Sequence, residues 1–431
     1  MEVIIKKSPQ LTGVVCAPPS KSYTQRMVIA ASLSKGTSKI SQPLLSEDTE
    51  ATIRAVTALG AKVNKTVECW IVQGASPLTA AKEPVDCGES GATLRFMIPV
   101  AALADGPSTL TFKGSIKRRP VEPLLESLKD LGANANLGKI DTDDAVFVAG
   151  NGIIGGETSI RGDISSQFIS GLMFACPLAK KPTEITLASQ LESADYVKMT
   201  EVVLSKHAIA VGVKENFIAI PPNQTYKAAD EKVPGDFSSA AFLLAAAAIT
   251  NSDVTITNLN YEAVQGDKAI LRILKEMGIN GRVCPDSIEI KSTGNSLKSI
   301  TLNAKNIPDL VPAIAVLACY AEGTSKIFGA SRLKLKESDR LQSLQIGLSK
   351  MGAKIMVNND GLTIKGGAKL YGATIDPHND HRIAMACSVA ALGAEGSTII
   401  KNAKCVRKSY PQFFTHLKQI GANVIGGKFD R

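Results

Sequence analysis

One repeat constrains this chain more than any other feature. Helical stretches that end in glycine and lead into a short β-rich run occur at TALGAKV, KDLGANA, KEMGING, SKMGAKI and KQIGANV. Their glycines are Gly60, Gly132, Gly278, Gly352 and Gly421, spaced about 70 to 75 residues apart with one gap. SKHAIAV fills the gap as a degenerate copy, with His207 in phase. Glycine just past a helix acts as a left-handed C-terminal cap. A second marker has the same period: GTSKI occurs at Gly36 and again at Gly323, with related junctions DGPSTLTF, KKPTEITL, TNSDVTI and EGSTII. Chance placement of turn glycines would not keep two independent markers in phase along the whole chain.

Each unit reads as strand, helix, strand, helix and two further strands. Six such units fill the sequence. A unit this long exceeds the roughly 20 to 50 residues of a solenoid repeat, and three could close around one core. Two triplets then make two domains, split near residue 230, where NQTYKAADEKVPGD is polar and turn-rich. Units of βαβ type predict mixed sheets with helices packed against them.

Composition narrows the class. The chain has 431 residues, 44% apolar and 21% charged, enough for two sizeable cores. Its longest apolar runs, near FSSAAFLLAAAAI and VPAIAVLACYA, fall short of the roughly 20 residues that span a bilayer. MEVIIKKSPQ has no sustained apolar segment, so no signal peptide is expected. Eight scattered cysteines, none at CxxC spacing, read as reduced thiols and favour the cytoplasm. His378 and His381 lie three apart with no further ligand close in sequence, so no metal is expected. The formal charge of +9 favours anionic partners.

Those cations occur singly or in pairs at recurring places. First helices of the units open at PPSKSYTQR, CGESGATLR, GDISSQF, GDFSSAAF, IPDLVPA and NDHRIAM. Second helices open at SEDTEATI, KRRPVEPLL, ESADYVKM, QGDKAIL, KESDRLQSL and RKSYPQFF. Ser22 and Gln25 fit a capping box, which puts Lys21 just outside its helix and Arg26 in the first turns. Arg119, Lys336, Arg340 and Lys408 lie near the second openings. The helix macrodipole disfavours cations at that end. They make sense there when an anion lies between them and the exposed N–H groups. For a single residue the alternative is a solvated cation, and for KESDRL a salt-bridged surface helix. The set carries the argument.

Taken in order, SKSYTQR, SSQF, IPD, KESDRL, NDHR and RKSYP resemble the 5-enolpyruvylshikimate-3-phosphate (EPSP) synthase family over nearly the whole length. The resemblance implies an α/β fold of two domains, each an inside-out α/β barrel of three βαβαββ repeats. The first domain would be 17–232, on the shikimate 3-phosphate side. The second would be 1–16 plus 233–431, on the phosphoenolpyruvate side. The hinge would lie near 14–18 and 230–235. It also implies a cytoplasmic monomer that closes on binding and uses no cofactor. Its partners would be the two small substrates, with no nucleic acid and no membrane.

Roles follow from the same resemblance. Lys21 would touch both substrates and assist proton transfer, with neighbouring arginines lowering its pKa. Ser22, Arg26, Ser165, Ser166, Gln167, Ser193, Tyr196, Asp309, Ser331 and Lys336 would hold shikimate 3-phosphate. Gly91, Arg119, Gln167, Arg340, Arg382 and Lys408 would hold phosphoenolpyruvate. Asp309 would be the base for the attacking hydroxyl, and Glu337 would move the proton at the enolpyruvyl methylene. His381 would line the same region.

Three departures from the family pattern bear on local contacts and on analogue binding. GESGA replaces GN[SA]GT, so Glu89 stands where an amide would face phosphoenolpyruvate and would repel it unless turned away or paired. Ser331 replaces a common Asn, and PPSKS replaces PGSKS. The sister UDP-N-acetylglucosamine enolpyruvyl transferases carry a loop cysteine before RPV, which GSIKRRPV lacks, and KN where this chain has Lys21-Ser22. A nucleic-acid-processing protein on a related fold would need basic runs and stacking aromatics; the chain has no basic runs and few aromatics. An inactive anion-binding relative is the third alternative, against which the retention of Lys21, Asp309 and Glu337 argues.

Overall fold

A computed structural model describes residues 1–292, 294 and 296–427. The described residues form six four-stranded sheets that share one pattern of parallel and antiparallel pairing. In three of them a first strand pairs in parallel with the strand beyond the first helix, and that strand pairs antiparallel with a hairpin. In one sheet Gly156–Ile160 runs parallel to Thr183–Leu187, which pairs antiparallel with Phe217–Ile220, and Gly212–Val213 lies at the edge. The parallel step needs a crossover helix and the antiparallel step a short turn. The repeat is therefore the βαβαββ unit expected, and the fold class is that of two sets of three.

The chain divides into two compact units, Ser20–Val233 and Met1–Pro19 with Pro234–Arg431. Neither is assembled in simple chain order. In the second, strand Val3–Lys6 completes the last sheet by pairing with Ser397–Ile400, and Thr12–Cys16 begins another beside Asp253–Thr257. In the first, the late strand Glu231–Lys232 closes a sheet beside Thr37–Ser41.

The helix-inside, sheet-outside arrangement follows from the sequence. Phe237–Ile249, Val311–Tyr320 and His381–Gly393 are apolar around nearly their full circumference, are buried nearly throughout, and pack on one another. Sheet strands such as Thr183–Leu187 instead alternate buried and exposed. Each unit has its own apolar core. Among the described residues, no helix is long and apolar enough to cross a membrane.

Two local expectations need correction. In the degenerate repeat the left-handed position is Ala208, with φ of 62°, while buried His207 occupies the cap position that Leu59, Leu131, Met277, Met351 and Ile420 hold elsewhere. His207 is buried because its ring is fully used: Nδ1 lies 3.0 Å from Ser34 Oγ and 2.8 Å from the Lys227 carbonyl, and Nε2 lies 3.2 Å from Glu231. The first helix, Lys21–Ser32, is capped by Ser20 rather than Ser22, so Lys21 is its first helical residue. Gln25 is too deeply engaged to complete a capping box. Its amide lies 3.0 to 3.3 Å from Thr52, Ser90, Thr93 and the Asp48 carbonyl.

Candidate active site

The first helices of all six repeats begin at small or acidic turns: Ser20, Ser90, Ser165, Asp236 and Asp380 are N-caps, and Pro308–Leu310 is a 3-10 turn before Val311. Side chains tie these ends together within each unit. In the unit Ser20–Val233, Gln25 reaches Ser90, and Arg95 Nη1 donates to Gln167 Oε1 at 2.8 Å. Gly91 lies against this group. A Cβ there would sit 3.1 Å from Arg119 Nη1 and 3.6 Å from Arg95 Nη1, so the missing side chain leaves room for two guanidinium groups.

Arg26 is a buried cation of this unit. It is 2% exposed. Its Nε donates to Thr200 at 2.8 Å, Nη1 to the Ser22 carbonyl at 3.0 Å and Nη2 to the Tyr196 carbonyl at 3.2 Å. The guanidinium also lies over Phe96 at 5.0 Å and Tyr196 at 5.9 Å. No carboxylate meets it among the described residues, and burial pulls its pKa down to about 10. A buried cation held only by neutral groups is costly without an anion. Lys21 does have one: its Nζ lies 2.7 Å from Asp48, which is nearly buried. The neighbour that the structure gives Lys21 is thus a carboxylate.

Ser165 caps the helix Ser166–Ala175 by accepting from Gln167 N at 3.3 Å, and Ser166 is buried at its first position. Ser193 sits in the left-handed region with φ of 58° and precedes the helix bearing Tyr196. Arg119 Nη2 donates to Ser115 at 3.3 Å. Glu89 turns onto the neighbouring 3-10 turn, where a side chain on Gly114 would collide with its carboxylate. Gly114, at φ of 64°, thus makes room for the residue that departs from the family pattern.

The other unit holds a denser ionic network. Arg340 is 1% exposed and meets three carboxylates: Nη2 to Glu337 at 2.6 Å, Nη1 to Asp309 at 2.8 Å and Nε to Asp380 at 2.9 Å. Lys336 lies 3.5 Å from Asp309. Arg382 Nη2 lies 3.4 Å from Asp309 Oδ2, while Nη1 donates to the Asp309 carbonyl at 3.0 Å and the Ser238 carbonyl at 3.4 Å. One guanidinium therefore joins the starts of three inner helices. His381 is 1% exposed beside it, 3.9 Å from Asp380. Buried Lys408 ends the turn Ala403–Lys408. Ser331 opens the turn Ser331–Leu335 and is exposed.

Electrostatics set the protonation. Burial alone would raise the Asp309 pKa, but Arg382, Lys336 and Arg340 together hold it well below the usual carboxylate range. Burial pulls Lys336 down to about 8 against the attraction of Asp309. Arg340 is raised: its three acids outweigh its burial. Among the described residues, no group of three His, Cys, Asp or Glu could hold a metal ion.

The sequence reading missed Asp48, Arg95 and Asp380. Arg95 stood in the quoted CGESGATLR, and Asp380 in NDHR. Their N-cap or helix positions gave a structural explanation, and only tertiary contacts show them paired to site residues.

The family model of EPSP synthase, 3-phosphoshikimate 1-carboxyvinyltransferase, matches residues 5–417. A 3-phosphoshikimate 1-carboxyvinyltransferase of Methanocaldococcus jannaschii is 44% identical, over 98% of this chain and 99% of its own. That of Methanococcus aeolicus is 43% identical with the same coverage. A solved EPSP synthase from Acinetobacter baumannii superposes with a TM-score of 0.84 at 26% identity, covering 98% of this chain and 99% of its own. With six repeats, two units and a family match across nearly all of its length, this chain belongs to the EPSP synthase family.

Proposed function

We propose that this protein transfers the enolpyruvyl group of phosphoenolpyruvate to the 5-hydroxyl of shikimate 3-phosphate and releases phosphate, a step of aromatic biosynthesis. The observation that carries this reading is Arg382. It ties three helix N-termini together around Asp309, within a network that also includes Lys336, Glu337 and Arg340. That arrangement suits a doubly anionic substrate and a reaction that both adds and removes a proton.

The steps balance with the two substrates alone. A proton adds to C3 of phosphoenolpyruvate and makes C2 electrophilic. The 5-hydroxyl attacks C2 and gives up its proton, which yields a tetrahedral ketal. Phosphate then leaves C2 as C3 loses a proton, and the enolpyruvyl ether remains. Asp309 takes the hydroxyl proton, Glu337 serves C3, and Lys21 assists proton transfer. The proposed phosphoenolpyruvate ligands are Gly91, Arg119 and Gln167 of the one unit and Arg340, Arg382 and Lys408 of the other. Ser22, Arg26, Ser165, Ser166, Gln167, Ser193, Tyr196, Ser331 and Lys336 hold shikimate 3-phosphate, and His381 lines the region. Arginine suits both anions because it donates paired bonds to planar or tetrahedral oxygens.

A carboxylate surrounded by cations is a poor base. Substrate binding resolves this. When the anionic substrate takes up part of the charge of Arg382, Arg340 and Lys336, the stabilisation of the Asp309 anion falls and its basicity rises. The base is thus activated by the substrate it serves. The enzyme acts as a cytoplasmic monomer in this reading.

Phosphate release from phosphoenolpyruvate, measured with shikimate 3-phosphate or UDP-N-acetylglucosamine as acceptor, tests the function. Release is expected with the first only. Release with the second, or with neither, contradicts it.

A further inference from the structure

Asp267 is a buried carboxylate outside every role given above. It lies in the turn Gly266–Lys268 of QGDKAIL and is 3% exposed. Its Oδ2 accepts from the Ser238 hydroxyl, and its Oδ1 has no hydrogen-bond partner among the described residues. Lys268 beside it turns away, donating to the Tyr261 carbonyl at 2.6 Å. The charged groups facing Asp267 are Asp309, Arg382 and Asp236, the N-cap of Phe237–Ile249. Asp236 already accepts from Ser239 at 2.7 Å.

Two of those three groups are acids. Burial, with the Asp309 charge next, pushes the Asp267 pKa up to about 7, against the pull of Ser238 and Arg382. Asp309 and Asp267 are thus driven in opposite directions within one cluster, which keeps one ionised and the other neutral near pH 6. The link to Arg382 is short. Ser238 gives its hydroxyl to Asp267, and its carbonyl accepts from Arg382 Nη1.

We propose that Asp267 is a positioning residue that acts through Ser238 on Arg382 and sets how much positive charge Arg382 offers an anionic substrate. With Asp267 neutral, Arg382 shares its charge mainly with Asp309. With Asp267 ionised, a further carboxylate competes for the same guanidinium and repels the incoming anion. The inference rests on the reading that Arg382 binds phosphoenolpyruvate.

Steady-state kinetics of the full chain between about pH 6 and pH 8.5 test it, with Asp267→Asn, Ser238→Ala and Arg382→Gln beside the wild type. In the wild type the KM for phosphoenolpyruvate rises by about tenfold across this range, as expected of one added charge near the anion. Asp267→Asn holds the neutral form: its kcat at pH 6 stays close to wild type, and its KM rises much less. The substrate's own ionisation is common to both proteins and cancels. Ser238→Ala removes the hydrogen bond that favours the ionised carboxylate, so the inflection moves to higher pH. Parallel KM profiles for wild type and Asp267→Asn overturn the proposal. So does an inflection that stays put or falls in Ser238→Ala, a readout that survives if the Asn variant does not fold. An unchanged KM in Arg382→Gln removes the underlying reading instead.

Discussion

At the residue scale, the chain places cations where helices place partial positive charge. Lys21 and Arg340 are first helical residues, and Arg382 follows one. Stability alone would favour acids there. The protein meets the cost for these three with Asp48, Asp309, Glu337 and Asp380. Arg26 meets no such acid among the described residues, and burial lowers its pKa. Asp267 has the opposite problem, and its effect on stability has a definite sign. Its folded pKa, about 7, lies above the ordinary 3.8 of an aspartate. The native state therefore binds more protons than the unfolded state between roughly pH 4 and pH 7, and stability falls as pH rises through that window. The total is on the order of 4 kcal/mol at pH 8. Denaturant titrations should show Asp267→Asn gaining on wild type as pH rises from about 4 to 8. A constant difference would mean that Asp267 is ionised throughout.

At the element scale, the repeat was legible because its punctuation is chemical. Gly60, Gly132, Gly278, Gly352 and Gly421 all have positive φ, as a left-handed cap requires. The sixth copy was misphased by one residue because Ala208 adopts that conformation without being glycine. Replacing Ala208 with glycine should therefore stabilise the protein by roughly 1 kcal/mol, seen as a higher urea midpoint. A lower midpoint would show that the alanine methyl contributes more than its backbone strain costs. Helix starts were legible to within a residue or two, and the error at Ser22 has a clear cause. Ser20 and Ser22 are both good caps locally, and Gln25 was drawn away by Thr52, Ser90 and Thr93 from other helices. For a single cap the stake is modest. Asp339 accepts from Leu341 N and Gln342 N at 3.1 and 3.2 Å at the start of the helix that carries Arg340. Asp339→Ala should cost about 1 kcal/mol and raise the KM for phosphoenolpyruvate by loosening Arg340. An unchanged KM would show that the carboxylates around Arg340 position it unaided.

At the scale of the whole molecule, sequence markers counted the units but could not assign every strand. Val3–Lys6 and Glu231–Lys232 each complete a sheet begun far away in the chain, and the pairing of sequence-distant strands leaves no local signature. The partners of the site cations were hidden for the same reason. Asp48 is 27 residues from Lys21, and Asp380 is 40 from Arg340. The segment Ser20–Val233 is continuous and contains its own core and its closing strand. Expressed alone, it should unfold cooperatively with near-ultraviolet dichroism intact. A molten fragment would mean that its three sheets depend on the rest of the chain. In the proposed mechanism a cation-surrounded carboxylate, made basic by its substrate, drives the transfer. The turnover of Asp309→Ala tests this most directly, compared with wild type at matched thermal stability. A fall of about 10²- to 10⁴-fold in kcat with the fold retained is the predicted result. Near-normal turnover would contradict it.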